Sequence, residues 1–333
     1  MQLFGHKLLS LDHHSKFRKM KNNKEEYILV VCPNPSIDTF AWVENFKQKE
    51  ANRITREESY PGGKGVHVAM AAAEMEVPVK LLGFWGGMTG QWIKSECKKR
   101  YSNIECVGPD VTGLSRTCYT FKSAPSFDDT EILGKGPSVT SEDIESFFKT
   151  AIPKIKNSKC IVISGSWPDG SGDLGCQKMI TIANIYKKKV FLDCTGSSLK
   201  NALKVSPYLV HLNKSEVQNF TGKTDIIEAG TELLKHCEVA AITDGSKGLH
   251  LISTNDHIQV SHQLDTIYST IGSGDCLTAG LALAYSQQLN FEGMAKLGAS
   301  MGAANCIRKE LGLLNKSDVE ELKNKSKINY IGL

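Results

Sequence analysis

The chain predicts an α/β fold: a doubly wound, mostly parallel sheet flanked by helices, with a small β-lid standing off it. Three observations carry the prediction. Short apolar, β-branched runs recur along the chain, as strands covered on both faces would. Amphipathic stretches of helical length separate them, so strand and helix alternate as in a parallel sheet with crossover helices. Two long polar stretches, about 39–60 and 112–136, break the rhythm and are too long to leave structureless in a compact unit.

In chain order, residues 1–26 come first. They are polar, carry His13-His14, and their Leu8-Leu9-Ser10-Leu11 run is too short for a secretory signal. We expect a disordered tail there, followed by one unit over 27–325. Its first strand is 27–32. The first lid segment follows, and Gly62-Gly63-Lys64-Gly65 then opens an alanine-rich helix. Beyond the second lid segment, 142–156 reads as a helix with Thr140 and Asp143 at capping-box spacing. Strands at 160–164, 190–194, 208–212 and 239–243 alternate with helices at 173–187 and 225–236. A late helix covers 291–308.

The 333 residues hold 40 Lys+Arg against 36 Asp+Glu, with 41% hydrophobic and 23% charged residues. That balance supports a sizeable core and excludes a disordered or collagen-like chain. No uncharged apolar run approaches the ~20 residues that span a bilayer. Six basic residues against three acidic ones fall in 1–26, so the body is nearly neutral and shows no nucleic-acid footprint. The ten cysteines are scattered, with no Cys-x-x-Cys pair and no metal-ligand spacing. They point to thiols in a reducing, cytoplasmic compartment.

The motif that carries chemistry is Gly272-Ser273-Gly274-Asp275, which leads straight into the nearly all-apolar run 276–285. The glycines let backbone N–H groups converge, and a helix start adds its positive end, which together make an anion hole. Asp275 stands where a carboxylate can take a proton from a hydroxyl while amides hold developing phosphoryl charge. Alone, the motif is equally a capped, buried helix. Asn34-Pro35-Ser36-Ile37-Asp38 follows the first strand directly and places Asp38 at its carboxyl end, where parallel sheets bind ligands. Gly62 and Gly63 allow a substrate to approach the backbone closely. Asn213 and Glu216, at i and i+3, share one face of a helix start, as a ligand pair or as an ordinary cap. Gly222-Lys223-Thr224 ends like a Walker A loop, but Val217 stands where the first glycine belongs.

In this order the motifs resemble the PfkB (ribokinase-like) carbohydrate kinases, and within them the 1-phosphofructokinase and tagatose-6-phosphate kinase branch. The resemblance covers roughly 27–325. It rests on Asn34 to Asp38, Gly62 to Gly65, Asn213-x-x-Glu216 and Gly272 to Asp275, with supporting runs at 130–137 and 164–168. It implies a ribokinase-like fold and ATP- and Mg-dependent phosphorylation of a ketohexose monophosphate, fructose 1-phosphate or tagatose 6-phosphate, to the bisphosphate. Asp275 would be the general base, with Gly272, Ser273 and Gly274 as the anion hole. Asp38, Gly62, Gly63, Lys64, His67 and Ser166 would meet the sugar, and Arg53 and Arg116 would grip its existing phosphate. Asn213 and Glu216 would support Mg²⁺ and the ATP phosphates, Glu216 through water. Thr243, Gly245 and Gly248 would form the nucleotide loop, with Asn305 near the adenine. The resemblance also suggests a homodimer through the lid, and no nucleic-acid or membrane partner is expected.

Two departures stand out. His67 occupies a position that is commonly Asn in the branch, and His211-Leu212 replaces the family's Lys-Pro. An imidazole is larger than an amide and titrates near neutrality, so either the acceptor or its binding mode differs, or His67 is a core or solvated histidine. Two alternatives follow: a kinase of the same fold for an unphosphorylated sugar or nucleoside, and a catalytically degenerate paralogue that only binds a sugar phosphate.

Overall fold

The computed structural model of the protein describes residues 26–123, 130–309 and 312–332. Residues 1–25 of the expected tail lie outside these. Seven strands pair in parallel at the centre: β1 (Ile28–Val31), β4 (Val79–Leu82), β6 (Ile104–Val107), β10 (Ile161–Ser164), β11 (Val190–Asp193), β12 (Leu209–Asn213) and β13 (Val239–Thr243). Three antiparallel strands, β14 (Leu249–Ile252), β15 (His257–Ser261) and β16 (Lys327–Tyr330), extend this sheet beyond β13. The order among the described residues is β16-β15-β14-β13-β12-β11-β10-β1-β4-β6.

The parallel strands are apolar because both faces are covered. Ile28 and Val30 of β1 enter one core, whereas Leu29 and Val31 enter the other. The first core also takes α1 (Lys64–Glu74), α2 (Gly87–Arg100), α8 (Ser273–Ser286), α9 (Phe291–Cys306) and α10 (Lys316–Lys325). The second takes α3 (Ser141–Asn157), α4 (Gly175–Ile185), α5 (Gly196–Ala202), α6 (Lys214–Thr221) and α7 (Ile226–Leu233). Helix α3 begins with the expected reciprocal cap: the Asp143 amide donates to Thr140 Oγ1 at 3.2 Å, and the Thr140 amide to Asp143 Oδ2 at 2.9 Å. Gly222, the glycine of the rejected Walker-like run, ends α6 at φ 71°, a conformation that glycine adopts without strain.

From β1 the chain passes to β4 on one side, while β10 flanks β1 on the other. That reversal opens a crevice at the carboxyl ends of β1 and β10. A second sheet of order β3-β2-β8-β9 stands over it, built from β2 (Ser36–Val43), β3 (Ile54–Gly62), β8 (Arg116–Lys122) and β9 (Thr130–Leu133). The two polar segments thus supply most of one sheet. Its base is fixed by register, since Ser36 pairs with Gly62 on one side and with Arg116 on the other. Short strands β5 (Trp85–Gly86) and β7 (Asp110–Val111) pair separately. Strands β4, β6 and β14 to β16 carry charged or imidazole side chains and were not anticipated.

Candidate active site

The turn from β1 into β2 brings Asp38 over the crevice. Ser36 Oγ donates to its Oδ1 at 2.6 Å and the Gly63 amide to its Oδ2 at 3.2 Å. Gly62 must lack a side chain, because a Cβ there would stand 2.1 Å from the Asp38 carboxylate carbon. Burial pushes the Asp38 carboxyl upward. His67, Ser36 and the Gly63 amide outweigh it and hold the group below its ordinary value.

Asp275 approaches from the opposite side, in the first turn of α8 and 5% exposed. His67, on α1, lies between the two carboxylates. Its Nδ1 is 3.0 Å from Asp275 Oδ2, and its Nε2 is 3.2 Å from Asp38 Oδ2 without lining up for a hydrogen bond. Burial disfavours charge on the ring, but the two carboxylates override it and raise its pKa to about 10. For Asp275 burial dominates, opposed by His67 and Lys64, and leaves the carboxyl above its ordinary value. A general base needs a shift in that direction.

Helix α8 starts at Gly272, whose φ is 84°. The Ser273 amide turns back onto the Thr270 carbonyl at 3.2 Å, and its hydroxyl donates to the same oxygen at 2.7 Å. The Cys276 amide closes onto the Gly272 carbonyl at 3.0 Å. The amides of Gly274 and Asp275, at the second and third helical positions, are therefore the open first-turn donors. Of the motif's amides, that of Ser273 is spent on the turn, whereas those of Gly274 and Asp275 stay open.

Behind this loop is a network that the motif reading missed. Lys64 Nζ stands 3.1 Å from Asp193 Oδ1 at the end of β11, and Asp193 Oδ2 lies 3.7 Å from His211 Nδ1. The Thr278 hydroxyl donates to the Gly274 carbonyl at 2.9 Å and lies 3.2 Å from His211 Nδ1. Having spent its proton, Thr278 must accept, so Nδ1 of His211 carries hydrogen. Burial of Asp193 works against its charge, but Lys64 and His211 keep the carboxyl far below its usual range. Asp193 raises the Lys64 ammonium, assisted by Asp275 and Glu216, so Lys64 is a fixed cation between the carboxylates and α6. The signal for Asp193 was available: an acid ends a strand that is otherwise apolar and wholly buried.

Arg116 and Arg53, paired in the sequence reading, are separated. Arg116 is half-buried at the lid base, donating to the carbonyls of Asn34 at 3.2 Å and Gly134 at 3.4 Å. Arg53 is exposed just before β3, nine residues from Gly62 along the chain and therefore roughly 30 Å away at strand rise. Ser166 is exposed on the loop after β10, where Ser164 Oγ instead reaches Asp193 at 3.4 Å. Asn213 and Glu216 form a reciprocal capping box, with bonds of 2.8 and 2.9 Å. Thr243 Oγ1 lies 3.5 Å from His211 Nε2. Gly245 is open, whereas Gly248 is required by packing, since a Cβ there would stand 2.0 Å from the Val260 carbonyl oxygen. Asn305 is buried, donates to the Leu313 carbonyl at 2.8 Å, and leaves Oδ1 without a partner among the described residues.

A crevice at a topological switch point, an acid at a glycine-rich helix start and a β-lid together define a ribokinase-like sugar kinase. The chain belongs to the pfkB family of carbohydrate kinases, whose model matches residues 30–317. It therefore transfers a phosphoryl group to a sugar hydroxyl. It is 30% identical over 295 residues to the 1-phosphofructokinase of Bacillus subtilis (strain 168), covering 86% of this chain and 94% of that protein. In fold it is similar to a possible 1-phosphofructokinase from Thermotoga maritima, with a TM-score of 0.82 at 22% identity over 92% of this chain and 100% of that one. It is also similar to Escherichia coli phosphofructokinase-2 in complex with substrates and products, with a TM-score of 0.82 at 20% identity over 90% and 98% of the two chains. The Bacillus relative supports a sugar-phosphate kinase, and the two solved structures support the fold. Among the described residues, no helix is long and apolar enough to cross a membrane.

Proposed function

We propose that the protein phosphorylates a hydroxyl of a ketohexose monophosphate, fructose 1-phosphate or tagatose 6-phosphate, at the expense of ATP. The observation that carries this reading is the convergence of Asp38, Asp275 and Arg116 on one crevice, an acceptor anchor, a base and a phosphate-binding guanidinium. The acceptor sits on Asp38, and its phosphate lies against the N–H groups that Arg116 does not spend on carbonyls. Asp275 takes the acceptor's proton through Oδ1, the oxygen turned away from His67. The resulting oxygen attacks the γ-phosphorus as the bond to ADP breaks, while the Gly274 and Asp275 amides and Lys64 hold the transferred charge. Catalysis of this kind is positioning and electrostatics, and each of these groups is held by a second contact.

The Glu216 carboxylate spends one oxygen on the Asn213 amide and influences Lys64, which suits outer-sphere support of a hydrated Mg²⁺ on the ATP phosphates. That ion would neutralise phosphate charge beside Lys64. Arg53 cannot reach this protomer's crevice, so it meets an acceptor only across a lid-to-lid dimer. The exposed Ile54, Ile132 and Leu133 of the lid support such a pairing. All ten cysteines are free, in keeping with a reducing cytoplasm.

The test is coupled ADP release with ATP and Mg²⁺ on fructose 1-phosphate, tagatose 6-phosphate, fructose 6-phosphate, fructose and ribose. Turnover restricted to phosphorylated acceptors, with fructose 1-phosphate or tagatose 6-phosphate preferred, is the expected result. Turnover on free sugars alone would remove Arg116 from the account. Silence on all five from folded protein would leave the binding-only alternative.

A further inference from the structure

His67 has no freedom to be a passive core residue. Its ring is 4% exposed, and the backbone of Gly312 lies against it so closely that a Cβ there would stand 2.3 Å from its Cγ. Each ring nitrogen faces a carboxylate oxygen, and a carboxylate can only accept. Nδ1, bonded to Asp275 Oδ2, therefore carries hydrogen, and the Asp38 carboxylate 3.2 Å from Nε2 favours a second one there, which makes the ring an imidazolium. The groups facing it are Asp38 from β2 and Asp275 from α8, with Lys64 next to it on α1 and Asp193 of β11 beyond Lys64. Cys32 and Cys276 are thiols raised by burial and carry no charge near neutrality.

We propose that His67, a buried imidazolium clamped between Asp38 and Asp275, is a positioning residue that keeps the base ionised and restricts how the acceptor is held. The proposal rests on the kinase reading above. Asp275 gives Oδ2 to His67 and keeps Oδ1, which has no hydrogen bond among the described residues, for the acceptor hydroxyl. Asp38 is more constrained. Its Oδ2 already takes the Gly63 amide and faces His67, and its Oδ1 takes Ser36, so one lone pair on Oδ1 remains. The pocket thus anchors the acceptor through a single hydroxyl on Asp38, and the unaligned Nε2–H of His67 is the donor for a neighbouring acceptor oxygen. Together the two acids and the imidazolium carry one net negative charge, where a neutral residue at 67 would leave two.

The sign of the pH effect follows. His67 titrates higher in the folded protein than its ordinary 6.5, so its contribution to stability is fully present below 6.5 and is lost as pH rises through about 10. Removing it also removes the cation that pulls Asp275 down, so the acid limb of kcat/KM moves up.

The experiment compares wild type with His67→Asn, whose amide keeps a donor toward Asp275 but no charge. The wild-type melting temperature is expected to fall between pH 6.5 and 10, and that fall should be absent from His67→Asn. An identical fall in both would overturn the proposal. With fructose 1-phosphate and tagatose 6-phosphate as acceptors, the acid limb of His67→Asn should lie about one pH unit higher, with kcat at least tenfold lower. An unshifted limb with a uniform loss would mean a structural role and overturn it. Wild type turning over neither acceptor would sink the kinase reading, yet the melting comparison would still decide the charge. Should His67→Asn not fold, ¹⁵N-histidine spectra of wild type at pH 8.5 replace it. A His67 ring protonated on both nitrogens is expected, and a neutral His67 ring would overturn the proposal.

Discussion

Asp275→Asn is expected to lower turnover by about 10²–10⁴, the usual contribution of a general base, while nucleotide affinity stays near wild type. The amide fills the same space but cannot accept the acceptor's proton. The open first-turn donors proposed to hold the phosphoryl charge are the backbone amides of Gly274 and Asp275, which the substitution leaves in place. His67 loses one of its two carboxylates and keeps Asp38 at 3.2 Å, so the variant should also melt earlier. Single-turnover kinetics and nucleotide titration check both halves. Undiminished turnover would remove Asp275 from the chemistry.

Arg116→Ala is expected to raise KM for a phosphorylated acceptor by about 10–100-fold, the value of a charge-assisted hydrogen-bond pair. Because Arg116 also ties the Asn34 and Gly134 carbonyls together, its loss loosens the lid base. The melting temperature and kcat at saturating acceptor separate the two effects. Both should stay near wild type if the lost contact is to the phosphate, and both should fall if only the lid has loosened. Arg116→Lys should recover only part of the loss, since an ammonium cannot hold two carbonyls and a phosphate in one plane.

Much of this fold was legible because its inner strands are covered on both faces and so read as uninterrupted apolar runs. Val239–Thr243 was read to the residue, and β1 and β10 to β12 to within one at either end. The missed strands obey different physics. Lys80 and Glu105, on β4 and β6, pair with each other across the sheet edge, and each interrupts an apolar run too short to survive the interruption. On β14 and β15, His250 and His257 are buried against each other at 3.0 Å, so polar letters hide a packed interior. Antiparallel β16 is an exposed edge with no apolar run to read.

The site divides in the same way. Glycine-rich turns and the acid at a helix start are local, so Asp38, Gly62, Gly63 and Asp275 could be picked out from sequence and lie together in the crevice. Arg53 and Arg116 look alike as letters, and only strand register reveals that one sits at the lid base and the other at its far end. The Lys64–Asp193–His211 chain brings Lys64 to an acid 129 positions further along, a distance over which spacing carries no signal. His67 was visible as an oddity, but its place between two carboxylates depends on three elements meeting.

The most direct test of the account is a ³¹P NMR time course of the wild-type protein with ATP, Mg²⁺ and an equimolar mixture of fructose 1-phosphate and tagatose 6-phosphate. ADP and a new sugar phosphomonoester resonance should rise in equal amounts, with no inorganic phosphate. ADP accompanied by inorganic phosphate, or no change from a folded protein that binds nucleotide, would contradict it.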